Sequence, residues 1–298
     1  MSFHVLELLS GLAYCVFCVL LAALCIRAKA RALLERAPGQ EPRLPASPDT
    51  IAPPTSKSHP QGNRLSLTLA SCAALAAFVW IPLGCLPALF PSAWGGLAAL
   101  GCLALAAGFA GNWRWDGATR NKTRVLAPLA LFLALFAWYA RQRGMPGDVF
   151  SLDSYVATPL AGLMERQGLL GMILSATAVL LAVRDVQADM LSGLALVTRR
   201  PDAEEARAVV VLALMRQVWI FAVLGVAICL FVPFGPAGRL GMSGVTGIAA
   251  DVLFFWLKAL LADHACRLAA DKLPQASARS AAVQITLAGL GALCIFFA

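Results

Sequence analysis

Apolar positions in this chain gather into eight long runs, roughly residues 5–26, 65–90, 94–111, 125–140, 168–183, 208–234, 245–262 and 281–297, with short polar segments between them. Most of the runs reach or approach the roughly 17–25 residues with which a helix crosses about 30 Å of hydrocarbon. Inside a bilayer no water satisfies backbone N–H and C=O groups, so a helix is the economical conformation for such a run. The pattern predicts an all-α, polytopic integral membrane protein. Residues 1–298 form one membrane domain of about eight transmembrane helices, with both termini on the non-cytoplasmic side.

The polar segments carry the orientation. The segment after the first run, 27–64, holds Arg27, Lys29, Arg31, Arg36, Arg43, Lys57 and Arg64, and the one after the third holds Arg114, Arg120, Lys122 and Arg124. Arg184, Arg199, Arg200 and Arg207 follow the fifth run; Arg267, Lys272 and Arg279 follow the seventh. The opposite side has only Arg141, Arg143, Arg166 and Arg239, so the split is eighteen against four. By the positive-inside rule the crowded side is cytoplasmic. Omitting any one helix would scramble this alternation, which supports the count of eight and a bacterial inner membrane location.

Composition agrees with the pattern. A hydrophobic share of 60% with 13% charged residues lies outside the globular range, where about half the residues are apolar and about a quarter charged. The net charge of +8 does not imply nucleic acid, because the basic residues sit in loops and form no single basic face. The first run has no basic residue before it and no clear cleavage site after it, so it reads as a retained helix and not a signal peptide. The nine cysteines lie mostly within runs and do not describe a disulfide framework. Cys15-x-x-Cys18 has metal-like spacing but no second ligand pair, and packing is the expected role.

Two segments depart from plain linkers. Segment 27–64 begins as a basic helical continuation through Arg36 and becomes Pro- and Ser-rich from 38 to 60, which favours extended backbone. Segment 184–207 mixes Asp185, Asp189, Asp202, Glu204 and Glu205 with an apolar stretch at 190–197, so it is expected to be an amphipathic cytoplasmic loop that packs against the bundle or a partner. The outward segment 141–167 is expected to contain a short interfacial helix near 154–166.

Charges inside spans cost about 2.5–3.5 kcal/mol each on insertion scales and are functional candidates by default. Three qualify: Arg216 in the sixth run, and Asp251 and Lys258 in the seventh, two turns apart on one helix face. Asp185, Asp189, Asp263 and His264 are placed near the cytoplasmic rim. One reading is a hydrated track that relays protons; the other is local pairing, with Lys258 reaching toward the interface. Trp113-Arg-Trp115-Asp116 is a haem-like motif without facing histidines, and an aromatic belt explains it better. Gly241, Gly244 and Gly247 would let helices approach closely. No P-loop, metal-ligand cluster, activated nucleophile or carboxylate pair is found, so the chain is expected to hold no metal and no catalytic residue.

The second run, Ala73-Ala-Leu-Ala-Ala-Phe78-Val-Trp-Ile81-Pro82-Leu-Gly84, resembles the second helix of the heel subunit of respiratory complex I. That family includes counterparts in energy-converting membrane-bound hydrogenases and formate hydrogenlyase. Arg36-Ala-Pro38-Gly39 is similar to the turn that closes its first basic stretch, and Phe109-Ala-Gly111-Asn-Trp113 to its junction before the fourth helix. Phe231-Val-Pro233-Phe234-Gly235 resembles the end of a hydrogenlyase helix. Phe254-Phe-Trp-Leu-Lys258-Ala-Leu-Leu261, with Arg267 and Leu273-Pro274, resembles its penultimate helix. The chain departs from the family at the acid-rich loop, of which Asp185, Asp189 and Pro201-Asp202-Ala-Glu204-Glu205 are only an echo, and at a missing Glu near Met215.

The resemblance implies a non-catalytic membrane subunit of an oxidoreductase complex that couples electron transfer to proton or sodium movement. Lys258, Asp251, Arg216, Asp185 and Asp189 would be the coupling residues. Arg31, Arg36, Arg199, Arg200, Glu204 and Glu205 would dock cytoplasmic iron–sulfur, hydrogenase-like subunits. Iron–sulfur clusters and a nickel–iron or other catalytic centre would belong to those partners, antiporter-like subunits would lie alongside in the lipid bilayer, and quinone binding is left open by the degenerate loop. The competing expectation is a stand-alone permease for a small solute or ion, with helices interrupted at mid-membrane.

Overall fold

Prolines and glycines cut the apolar runs into the helices of this computed structural model, which describes residues 2–34, 61–83, 88–90, 92–111, 118–141, 150–156, 168–199, 203–272 and 278–298. Among the described residues the fold is entirely helical: α1 (Ser2–Leu34), α2 (Gln61–Ala77), α3 (Gly95–Gly111), α4 (Ala118–Arg141), α5 (Leu152–Val156), α6 (Leu169–Arg199), α7 (Ala203–Phe231), α8 (Ala237–Leu240), α9 (Gly244–Lys272) and α10 (Ala278–Phe297). Four stretches are long and apolar enough to cross a membrane: Leu169–Leu191, Val210–Phe231, Gly244–Ala270 and Ser280–Phe297. Leu65–Trp80, Gly95–Phe109 and Val125–Ala140 are shorter apolar helices. The fold fits a helical membrane protein.

Helix ends follow local chemistry. The run at 65–90 does not continue as one helix: α2 gives way to a 3₁₀ turn at Phe78–Trp80, and Ile81 is extended, with φ −96° and ψ 116°. Pro82 explains this, because its ring pushes the preceding residue out of the helical region. At the end of α7 the Val232 N–H still donates to Ile228 (2.9 Å). Pro233 then has no N–H to offer and the helix stops.

The segment at 184–207 also differs from expectation. It is not a loop: α6 runs without interruption to Arg199 and α7 begins at Ala203. Val183, Gln187, Met190 and Leu194 recur at helical spacing and are all buried, so burial of that face extends the helix past the apolar run. In the outward segment the described helix is α5, Leu152–Val156; residues 157–167 lie outside the described ones.

The bundle is built around α7. In its apolar stretch 83% of residues are buried, against 28% in α9 and 22% in α10. It packs against α1, α2, α3, α4, α5, α6 and α9. By contrast α9 and α10 present Leu253, Leu257, Leu261, Val283, Ile285 and Leu293 outward, which suits contact with lipid. Ile26 near the end of α1 packs with Met190 and Leu194 of α6 and with Ala213 near the start of α7. Leu67 and Ala70, early in α2, pack with Leu212 and Met215, early in α7. Tyr14 stacks edge-on against Phe78 (5.6 Å) and beside Trp256 (6.1 Å). These contacts make α1, α6 and α9 run one way and α2 and α7 the other.

Close packing of α6 on α10 depends on small residues. A Cβ at Gly171 would lie 2.9 Å from the Ile295 nitrogen, and one at Gly291 would lie 2.8 Å from the Ser175 nitrogen. Small residues at such a seam let backbones approach where the bilayer offers no hydrophobic drive between helices.

Candidate functional site

Four buried polar side chains from four helices meet at one point. Lys29 of α1 pairs with Asp263 of α9, its Nζ 3.0 Å from Oδ2, and donates hydrogen bonds to Asp263 Oδ1 (3.1 Å) and Gln217 Oε1 (2.6 Å). The Gln217 amide of α7 donates in turn to Asp263 Oδ1 (2.9 Å). Gln187 of α6 donates to the same carboxylate oxygen and to the Asp263 main-chain carbonyl (3.1 Å). Asp263 Oδ1 thus receives three donors, and all four residues are buried.

Local sequence sets this up on each helix. Lys29 lies one turn beyond Cys25 and Ile26 on the inward face of α1, while its neighbours Arg27 and Arg31 are exposed. Gln187 follows the buried Val183 by one turn, and Asp263 follows the buried Ala259. Taking two charges out of water costs several kcal/mol per ion, so the cluster persists only because nearly every lone pair and proton is engaged.

A second cluster lies on the neighbouring face of α6. Arg184 donates to Asp185 Oδ1 from Nε (3.0 Å) and Nη2 (2.6 Å). The other carboxylate oxygen accepts from Ser280 (3.2 Å) and Gln284 (2.6 Å) of α10. One acid therefore ties α6 to α10, as Asp263 ties α9 to α1, α6 and α7.

Asp251 and Lys258 serve a different place, the break between α7 and α9. Lys258 Nζ donates to the carbonyls of Val232 (2.7 Å) and Phe234 (2.9 Å) and sits 5.2 Å from the ring centroids of Phe234 and Phe254. It takes up carbonyls left over where the helix ends, and its charge complements the negative end of the α7 dipole. Asp251 Oδ1 accepts from the Ala237 N–H (2.9 Å) at the start of α8. The carboxylate fills the space that a Cβ at Gly235 would occupy, so a larger residue there would displace it.

The other candidates fall as follows. Arg216 is buried beside Gln217 and Asp189 is half-buried, each with interactions of its own. Counting from the loops places Arg216 and Lys258 at similar depth on the cytoplasmic side, but Lys258 Nζ bonds to Val232 and Phe234 at the end of α7 far from Arg216. Arg31 is exposed on the last turn of α1. Arg199 ends α6, and Glu204 and Glu205 open α7; their side chains, and Arg36 and Arg200 altogether, lie outside the described residues, as does Trp113–Asp116. Among the described residues no group of three or more His, Cys, Asp and Glu could hold a metal ion.

Sequence reasoning placed Asp263 only at a rim and Lys29 only in a loop, and it overlooked Gln187, Gln217 and Gln284. For Gln217 and Gln284, amides within otherwise apolar runs, the available signal was that each must find a partner in a medium without water; Gln187 lies in segment 184–207 and gave no such signal. No protein-family model and no curated protein matches this sequence.

Proposed function

We propose that this chain is an integral membrane subunit of a multisubunit redox complex, of the kind found in energy-converting hydrogenases, formate hydrogenlyase and complex I. It crosses the bacterial inner membrane about eight times with both termini outside. It holds no catalytic centre; it anchors cytoplasmic iron–sulfur subunits and takes part in coupling their electron transfer to proton or sodium movement through neighbouring antiporter-like subunits.

The observation that carries this reading is the Lys29–Asp263 pair, buried with two glutamines between four helices. In the topology given by the basic loops it lies in the cytoplasmic half, below the face where the catalytic module would dock. A charge pair is costly in that position. It is also the type of element whose protonation or partner a docked module can change.

Lys258 and Asp251 support the bundle from the other side, by closing the α7 break. In a stand-alone permease the ends of interrupted helices would be left to bind substrate or ion. Here the chain's own Lys258 and Asp251 occupy those ends, which favours the subunit reading over the permease. The test is mild solubilisation of the native membrane and affinity isolation of the full chain. Iron–sulfur proteins and antiporter-like membrane proteins should co-purify in defined ratio. Recovery of a stable monomer that alone catalyses solute uptake in vesicles would replace this reading with the permease.

A further inference from the structure

Helices α1 and α9 each pack on α6 and α7, and long side chains bridge the seam between them. Toward the outward end, the Trp256 ring of α9 meets Tyr14 (6.1 Å) and Phe17 (5.4 Å) of α1. Toward the other end, Lys29 of α1 meets Asp263 of α9. Between the two bridges the flanks of the seam are apolar and turned outward: Leu20 and Leu24 on α1 and Leu261 on α9 are more than half exposed, and Leu257 nearly so. From Phe17 to Lys29 the seam runs about 18 Å along the helix, close to the roughly 15 Å of hydrocarbon in one leaflet.

The mouth of the seam beyond Lys29 is basic, and in the topology given by the basic loops it faces the cytoplasm. Arg27 and Arg31 are exposed and continue the stripe of Leu20 and Leu24, since 20, 24, 27 and 31 recur at helical spacing on one face of α1. On α9, Arg267 lies one turn past Asp263, near enough to Lys29 to repel it, and His264 is exposed. Arg27, Lys29, Arg31 and Arg267 against Asp263 leave an excess of three positive charges. Among the described residues Arg27, Arg31, His264 and Arg267 have no hydrogen-bond or ion-pair partner. Loop residues would serve the positive-inside rule as well; cations fixed on two helices beside an apolar seam are the arrangement that holds an anionic headgroup.

We propose that the seam between α1 and α9 binds an anionic phospholipid of the cytoplasmic leaflet, its phosphate between Arg31 and Arg267 and an acyl chain along Leu24 and Leu257 toward Phe17. A zwitterionic headgroup would bring its own cation to the same place and leave the excess charge uncompensated. A partner helix laid in the seam would have to bury Arg31 and Arg267, at a cost of several kcal/mol per ion unless it carried acids at that level. The site belongs to this chain alone and does not depend on the redox partners proposed above.

The experiment is titration of the detergent-purified full chain with phosphatidylglycerol and with phosphatidylcholine, bound lipid being counted by native mass spectrometry. Phosphatidylglycerol should be retained at concentrations where phosphatidylcholine is not, and its binding should weaken as sodium chloride rises, because the headgroup contacts are screened. Arg31→Gln and Arg267→Gln should each weaken binding about fivefold and together about 25-fold, at roughly 1 kcal/mol per cation near the surface. Arg120→Gln with Arg124→Gln removes the same charge from the start of α4 and should change binding by less than about twofold, because that charge lies outside the site. Leu24→Trp, which keeps every charge and serves if an arginine variant does not fold, should weaken binding several-fold by filling the seam. A photo-crosslinker at Leu24 in the native membrane should give a lipid adduct. Equal retention of the two lipids would overturn the proposal, as would phosphatidylglycerol binding that survives the paired arginine change or falls equally with the α4 pair. A cross-link from Leu24 to a protein would overturn it too, and would assign the seam to a partner helix.

Discussion

Replacing Asp263 by leucine would leave Lys29 as a buried cation without a counter-charge, surrounded by Ile26, Cys25 and the amide of Gln217. Removing one partner of a buried pair costs about 3–5 kcal/mol. The surroundings here place the loss at the upper end: Asp263 Oδ1 accepts from three side chains, so Gln187 and Gln217 lose an acceptor as well. The reverse single change, Lys29→Met, leaves a carboxylate still held by two amides and should cost less, about 3 kcal/mol. In the double variant no charge remains, and the two glutamines, which already meet at one oxygen atom, are placed to bond to each other. Apolar replacement of a whole buried pair is often neutral, so the double variant should lie within about 1–2 kcal/mol of the parent. The coupling energy, the shortfall of the double change from the sum of the singles, is then about 4 kcal/mol or more. Reversible unfolding in mixed micelles, followed by tryptophan fluorescence for all four proteins, measures it. Additive losses would show that Lys29 and Asp263 do not share a buried site, and the functional reading built on their pair would fall with it.

Three further outcomes follow from other parts of the bundle. Gly235→Ala places a methyl group where the Asp251 carboxylate sits and should cost about 1–3 kcal/mol in the same assay, with the loss reduced when Asp251→Gly is added. Lys258→Met strips two carbonyls of their donor and should cost about 1–3 kcal/mol, whereas Lys258→Arg should recover much of it; equal losses for Met and Arg would remove the capping role. Reporter fusions within 38–60 should give cytoplasmic signal, and fusions at either terminus should give external signal; the opposite result at 38–60 would invert the topology on which the docking face depends.

Much of the helical architecture was legible because apolar run length is a one-dimensional signal. The ends of α2 and α7 lie where Pro82 and Pro233 interrupt their runs, and the α9 residues Asp251 and Lys258 stood out as charges in an apolar stretch. The extension of α6 to Arg199 was not legible from hydropathy alone, since Arg184, Asp185 and Gln187 look like a loop until their partners on α9 and α10 are known. The central cluster was hidden for the same reason. Lys29 and Asp263 are 234 positions apart, and nothing local distinguishes a lysine at a helix end that turns inward from one that faces water. Gln187, Gln217 and Gln284 carry no formal charge and so do not stand out against an apolar background, although in a dry interior an amide needs a partner as well.

The distribution of polar groups along the bundle separates two tasks. At one end of α7, Lys258 and Asp251 each bond to main-chain groups of the break between α7 and α9, and such bonds fix a bend. At the other end, Lys29, Asp263, Gln187 and Gln217 bond almost entirely to one another, so their geometry depends on the relative positions of four separate helices. Bonds to a local backbone survive small helix shifts; a shared carboxylate between four helices does not, because moving any one of them by an ångström or two takes a donor out of range. Where α1, α6, α7 and α9 converge, a change of charge at Asp263 is therefore also a change in helix packing. The Lys258 end, whose bonds are to the main chain of its own break, is insensitive to such shifts by comparison.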